Sequence, residues 1–269
     1  MKILKLIALF AFLSYGALVL AMYSLQESLL FQVSNDYTKP EALGLNNVTE
    51  VKLTTPDSMV LVSWYTKAAK GKPTILFFHG KGGSISGRPK RFAYYTSKGY
   101  GAFFLEYRGY GASTGKPSEA GFIMDADAAY DWLINNGVAP KDIVLAGESL
   151  GTGIATITAS RHVVAALSLQ APYSSIVDVA AARYWWLPVR LLIKDPFDSA
   201  SAITKVHVPV LIQHGVADQT IPIQFGKKLF AAANEPKEFV IVPGAGHNIF
   251  DEPRWAREMA FFDSLYGLY

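Results

Sequence analysis

Short apolar runs alternate with longer stretches of helical pattern over most of this 269-residue chain, and this alternation restricts the possible folds more than any other feature. The runs are almost continuously apolar, as in parallel strands covered by helices on both faces. We predict such strands at Thr74–Phe78, Gly101–Glu106, Ile143–Ala146, Ala165–Gln170, Val208–Gln213 and Glu238–Val242, preceded by a strand–turn–strand at Val48–Leu53 and Met59–Tyr65. Helices are predicted at Arg91–Lys98, Ser118–Asn135, Leu150–Arg161, Ile223–Ala233 and Pro253–Leu265. The pattern indicates an α/β fold with a mostly parallel eight-stranded sheet flanked by helices.

One predicted strand leads into a turn with the sequence Gly147-Glu148-Ser149-Leu150-Gly151. Glycines on both sides of a serine suit a strained strand-to-helix turn that holds the hydroxyl clear of the sheet. Glycine-rich turns also match this pattern by chance, so the interpretation depends on finding a base, an acid and an oxyanion hole elsewhere in the chain.

Ser149, Asp218 and His247 each follow a different predicted strand. Open α/β sheets bind ligands beyond the carboxyl ends of their strands, so we expect the three side chains to meet there. In that arrangement His247 takes the hydroxyl proton of Ser149, and Asp218 orients the imidazole. Asp195 and Asp198 are alternative acids, although neither directly follows a strand.

Two backbone N–H groups are predicted to form the oxyanion hole, those of Leu150 in the turn and Lys81 in the segment His79–Gly83. A phosphate loop is the competing interpretation of this segment, and it is rejected because no Gly-Lys-Ser/Thr precedes a helix. We interpret His79 as structural. The other histidines lack metal-ligand spacing, so we predict neither a metal nor a cofactor.

These motifs together resemble a known family. The chain is similar to α/β-hydrolase-fold serine hydrolases of the membrane-anchored ABHD-type (α/β-hydrolase-domain-containing) group, through Phe77–Gly83, Glu106–Gly115, Gly147–Gly151, His214–Asp218 and Gly244–His247. In that group asparagine commonly follows the His-Gly pair, where this chain has Lys81. The resemblance implies hydrolysis of carboxylic esters or thioesters, including monoacylglycerols, lysophospholipids and S-acyl proteins. The tyrosine- and glycine-rich segment around Arg108 is assigned no chemistry.

The N-terminal segment has a basic start and a long apolar run. After Lys2 and Lys5, no formal charge occurs from Leu6 to Gln26. The 18 residues of Leu6–Tyr23 span roughly 27 Å as a helix, enough to cross a bilayer core. An uncleaved anchor is favoured over a signal peptide cleaved after Ala21, because the run exceeds the usual ~7–15-residue signal core. A buried helix is a third alternative. Both targeting interpretations place the catalytic body on the non-cytoplasmic side.

The predicted domains are therefore a membrane segment at residues 1–28 and a hydrolase domain at 29–269, with a polar connector at 24–47. A short apolar cap is expected at about 172–205, containing Tyr184–Val189. An apolar cap favours an acyl chain in the substrate, although these residues could equally pack against the core. A serine peptidase and a non-catalytic membrane-tethered scaffold are the alternative functions.

Composition excludes several other classes. The chain has no cysteine, which excludes disulfides, thiolate metal sites and a cysteine nucleophile. The net charge of +3 is dispersed, without the basic face that nucleic-acid binding needs. We interpret Lys81, Arg88, Lys90 and Arg91 as surface charge rather than as a site for anionic headgroups. Expected partners are an ester or acyl substrate and a membrane, and the sequence carries no signal for the oligomeric state.

Overall fold

The computed structural model describes residues 1–267, so the last two residues of the predicted hydrolase domain lie outside the described part. The strands of the main sheet are β1 Thr49–Thr54, β2 Val60–Thr66, β3 Thr74–Phe78, β4 Gly101–Leu105, β5 Ile143–Glu148, β6 Ala166–Gln170, β7 Val210–Gly215 and β8 Lys237–Val242. The α-helices are α1 Lys2–Leu30, α2 Pro89–Ser97, α3 Glu119–Asn135, α4 Leu150–Ala159, α5 Ile176–Arg183, α6 Val189–Leu192, α7 Ser199–Ile203, α8 Ile223–Ala232 and α9 Glu252–Tyr266. Short 3-10 turns occupy Pro40–Leu43, Ile85–Gly87 and Pro140–Asp142.

The eight strands form one sheet in the order β8-β7-β6-β5-β3-β4-β2-β1. Strand β2 is antiparallel to both of its neighbours, and all other pairings are parallel. Every residue of β3 to β7 is buried, as their unbroken apolar runs predict. The predicted α/β class and eight-stranded, mostly parallel sheet are confirmed.

Alternate residues of the central strands point into two cores, one on each face of the sheet. In β3, Leu76 and Phe78 face the core beneath α3, α4 and α8, whereas Ile75 and Phe77 face the core beneath α2 and α9. This alternation assigns each side chain of the strand to one of the two cores. A shift of one residue would exchange the two faces, so the apolar pattern holds the strand in its observed register.

Helix α1 runs to Leu30, so the expectation of a polar connector from Ser24 is wrong for residues 24–30. Neither glycine nor proline interrupts this part of the sequence, and the hydroxyls of Ser24 and Ser28 bond to Leu20 O and Leu25 O within the helix. The helix is apolar and long enough to cross a membrane. After it, residues Gln32–Val33 pair in parallel with Gly82–Gly83, which ties the end of α1 to the loop following β3.

Candidate active site

Ser149 occupies a strained turn between β5 and α4. Its φ of 50° and ψ of −118° lie outside the regions that residues with side chains normally adopt. The turn is sharp because α4 begins against the end of β3. A methyl group at Gly151 would lie 2.1 Å from Phe78 O, and one at Gly147 would lie 2.6 Å from Gly151 O. Both positions therefore require glycine.

The structure brings the three predicted side chains together beyond the carboxyl edge of the sheet. His247 Nε2 lies 2.9 Å from Ser149 Oγ, and His247 Nδ1 lies 2.7 Å from Asp218 Oδ2. Ser149 follows β5, while Asp218 and His247 lie in the loops that follow β7 and β8. The arrangement allows a proton to pass from the hydroxyl to the imidazole while the carboxylate faces the opposite ring nitrogen.

Backbone and histidine donors hold the buried carboxylate of Asp218. Oδ1 accepts hydrogen bonds from the N–H groups of Thr220 and Ile221, each at 2.8 Å. Burial disfavours the charged form, but hydrogen bonds from His214, His247 and Ile221 outweigh it and hold the pKa of Asp218 well below its usual range. The carboxyl is thus ionised at neutral pH.

The N–H groups of Lys81 and Leu150 have no acceptor within residues 1–267, and both residues line the pocket that contains Ser149. Two tyrosines hold the loop that carries Lys81. The Tyr110 hydroxyl donates to Lys81 O at 2.8 Å, and the Tyr107 hydroxyl donates to His79 O at 2.9 Å. With its carbonyls bonded there, the loop is fixed beside Ser149. The sequence alone did not indicate this positioning role of the segment around Arg108.

Ser149 lies in a pocket of about 380 Å³ with mainly apolar walls. The predicted cap supplies part of the wall through α5, α6 and the segment between them. The end of α1 supplies another part, which the sequence did not predict; its lining residues are Met22, Tyr23, Gln26, Leu29 and Leu30. Inside the pocket, burial and the nearby Arg183 lower the pKa of Lys81.

Glu148, next to Ser149 in the chain, belongs to a buried ionic network. It pairs with Arg88 and, at 3.2 Å, with Arg91, and it accepts the Gly80 N–H at 3.2 Å. Burial opposes its ionisation, but the two guanidinium groups hold its pKa below the usual value. Arg91 is buried and also pairs with Glu258 at 3.2 Å. The interpretation of Arg88 and Arg91 as surface charge is therefore wrong: they brace the turn and the loop carrying Lys81.

Other polar residues have structural partners. His79 is buried, with Nε2 3.0 Å from Glu106 Oε1, as expected for a structural histidine. Asp195 accepts the Glu119 N–H at 2.7 Å, and Asp198 caps α7, so the alternative acids are engaged away from His247. In the part of the chain that the structure describes, no three His, Asp or Glu side chains are placed to hold a metal ion together.

The strand order, the turn after β5 and the positions of the three polar side chains define an α/β hydrolase. A family model described as the alpha/beta hydrolase fold matches residues 73–200. An uncharacterised protein of Mycobacterium tuberculosis H37Rv is 36% identical over 250 residues, covering 92% of this chain and 89% of that one. The chain belongs to the α/β-hydrolase family.

Two further comparisons come from proteins with named activities. The lysophosphatidylserine lipase ABHD12 of Danio rerio is 34% identical over 195 residues, covering 65% of this chain and 51% of the lipase. A solved esterase of Pyrococcus furiosus superposes with a TM-score of 0.71 at 19% identity, covering 87% of this chain and 96% of the esterase. The latter identity is low enough that it bears on the fold alone.

Proposed function

We propose that this protein is a serine hydrolase that cleaves carboxylic esters or thioesters through an acyl-enzyme at Ser149. The observation that carries the proposal is the continuous chain of contacts from Ser149 Oγ through His247 to Asp218. A serine hydroxyl is a weak nucleophile at neutral pH, and this chain supplies the base that it needs.

In the proposed reaction, Oγ of Ser149 attacks the substrate carbonyl carbon while Nε2 of His247 takes the hydroxyl proton. The N–H groups of Lys81 and Leu150 donate to the oxyanion of the tetrahedral intermediate. The imidazolium returns its proton to the departing alcohol or thiol, leaving the acyl group on Ser149. Water then attacks this ester with His247 again as base, which releases the acid and restores the hydroxyl. Asp218 stays ionised throughout and stabilises the imidazolium.

The preferred substrate is proposed to carry a long acyl group. The pocket beside Ser149 is apolar and is large enough for part of an acyl chain. Its walls come from α1 and the cap, both of which are rich in leucine and aromatic residues. The activity named for the Danio rerio relative ABHD12, a lipase, is of the same hydrolytic kind.

We further propose that α1 is an uncleaved anchor, with Lys2 and Lys5 on the cytoplasmic side and the hydrolase domain on the other. Tyr15, in the middle of α1, donates its hydroxyl hydrogen to Trp186 O of the cap at 2.9 Å. Cleavage after Ala21 would remove this contact. Mass spectrometry of the membrane-bound protein tests the point, because an N-terminus at Met22 would identify a signal peptide.

A fluorophosphonate probe tests the hydrolase proposal on the folded, full-length chain. We expect a covalent adduct on Ser149, no adduct in Ser149→Ala, and normal labelling of Ser160→Ala, a control at the end of α4. Absence of labelling in the wild type would favour the scaffold alternative. Rates on p-nitrophenyl esters of increasing chain length test the acyl preference, which fails if only the acetate is hydrolysed. Cleavage of p-nitroanilides without ester cleavage would favour a peptidase.

A further inference from the structure

The segment 184–191, which we call the cap tip, exposes large apolar side chains. Trp185 is 82% exposed and Leu191 is 86% exposed, with Trp186 at 39% beside them. Isolated apolar residues are ordinary on protein surfaces, but an exposed cluster containing two tryptophans indicates a surface that contacts a partner or a membrane. The cluster lies outside the pocket wall around Ser149, because neither Trp185 nor Leu191 lines that pocket.

The cap tip and the residues that follow it are attached to α1 rather than to the sheet. Besides the Tyr15–Trp186 hydrogen bond, Gln26 donates to Leu192 O at 3.1 Å and accepts from Lys194 N at 2.9 Å. Lys194 Nζ also pairs with Glu27 at 2.9 Å.

The Tyr15–Trp186 hydrogen bond determines the depth of the cap tip along α1, whereas the contacts of Gln26 and Glu27 hold residues 192–194 near the end of that helix. Tyr15 precedes Tyr23, the aromatic edge of the apolar run, by eight residues, or about 12 Å of helix. Trp186 therefore lies beside the apolar stretch of α1, and the chain that leaves the cap tip meets α1 at Gln26, just past the end of that stretch. If α1 crosses a bilayer, its neighbour at that depth faces hydrocarbon.

We propose that the cap tip is a second membrane-inserted element and that its occupant is the hydrocarbon of the adjacent leaflet. This inference rests on the proposed anchor. Trp185 and Leu191 enter the leaflet, and the exposed Arg190 extends its long side chain to the lipid headgroups. Among residues 1–267, Arg190 makes one ion pair, a 3.5 Å contact with Asp178, and its side chain is 69% exposed, so it can reach an anionic lipid surface.

Insertion would open the pocket toward the membrane. The pocket wall is shared between α1, through Leu29, and the cap, through Leu187 and Leu192. An acyl chain in the leaflet can then reach Ser149 between α1 and the cap without crossing water. The substrate class implied is an acyl ester or thioester that resides in the bilayer.

The absence of cysteine allows a direct test with one introduced thiol. Leu191→Cys in the full-length Ser149→Ala chain is labelled with the fluorophore NBD and reconstituted in phosphatidylcholine vesicles. The control is Val163→Cys, 71% exposed and next to the amino end of β6, opposite the site. We expect blue-shifted emission at 191 that lipids with a nitroxide on the acyl chain quench, and water-like emission at 163. Equal, iodide-quenched emission at both positions overturns the proposal.

A second variant tests entry from the leaflet. Trp185→Ser combined with Leu191→Ser is expected to hydrolyse a soluble short-chain ester at the wild-type rate. Its rate on an acyl ester embedded in vesicles should fall at least about tenfold, because two large apolar contacts with the hydrocarbon are lost. An unchanged rate on the embedded ester overturns leaflet entry. If the wild type hydrolyses neither ester, the proposed function fails, whereas the NBD measurement still decides insertion.

Discussion

The carboxylate of Asp218 binds His247 with one oxygen and the protein backbone with the other. Oδ2 accepts the Nδ1–H of the imidazole at 2.7 Å, and Oδ1 accepts backbone N–H groups, including that of Ile221 at 2.8 Å. Because the backbone fixes the carboxylate, the carboxylate fixes the imidazole with its proton on Nδ1. Nε2 then presents its lone pair to Ser149.

Asp218→Asn should separate this orienting role from folding. The asparagine oxygen can still accept the two backbone N–H groups, so we expect the fold to be retained. Its amide favours the opposite imidazole tautomer, and a fall in kcat of about 10⁴-fold is typical of that change in serine proteases. The measurement is kcat on a soluble ester, with thermal unfolding as the check on folding.

Asp198→Asn is the matched control, and its activity should be that of the wild type because Asp198 only caps α7. Full activity in Asp218→Asn would contradict the assignment of Asp218 as the carboxylate that orients His247.

The same carboxyl should also shape acid stability. Hydrogen bonds hold its folded-state pKa well below the unfolded value of about 3.9. Its contribution to the free energy of unfolding is therefore complete above the unfolded pKa and is lost as the pH falls toward the folded one. Between about pH 4.5 and 2, the wild type should lose stability more steeply than Asp218→Asn. Urea unfolding of both proteins at each pH measures the slopes, and parallel slopes would contradict the assignment.

Lys81 allows the backbone role to be separated from the side chain. Lys81→Ala keeps the N–H, so kcat on a neutral short-chain ester should stay near the wild-type value. Lys81→Pro removes the N–H and should lower kcat by about 10²–10³, the usual effect of losing one oxyanion donor. Circular dichroism of both variants checks that each one folds. Similar losses in both would assign the effect to the ammonium group, contrary to the proposal.

The features that the sequence predicted are those encoded locally. Apolar runs predicted β3 to β7 because burial on both faces leaves little choice of residue, and the strand–turn–strand pattern predicted β1 and β2. The order of Ser149, Asp218 and His247 along the chain, each after its own strand, predicted their convergence because parallel strands end at one edge. The glycines at 147 and 151 mark a close approach of backbones that any side chain would block.

What the sequence did not predict depends on contacts between distant residues. The end of α1 lines the pocket because Gln26 bonds to the cap more than 160 positions later, and no local pattern records that pairing. The burial of Arg91 likewise depends on Glu148 and Glu258, which come from separate elements. A charged residue in a basic stretch is ordinarily exposed, so the local composition predicted exposure for Arg91, which is buried.

Arg91 should therefore behave as a buried partner and not as a surface charge. Arg91→Met leaves Glu258 without its guanidinium and weakens the hold on Glu148, so unfolding free energy should fall by about 3–5 kcal/mol. The control is Arg161→Met, which breaks the half-exposed pair with Asp127 and should cost less than about 1 kcal/mol. Urea unfolding in detergent gives both values. A similar small loss in the two variants would mean that the buried network contributes no more than an ordinary surface pair, and Glu148 would then need another explanation for its place beside Ser149.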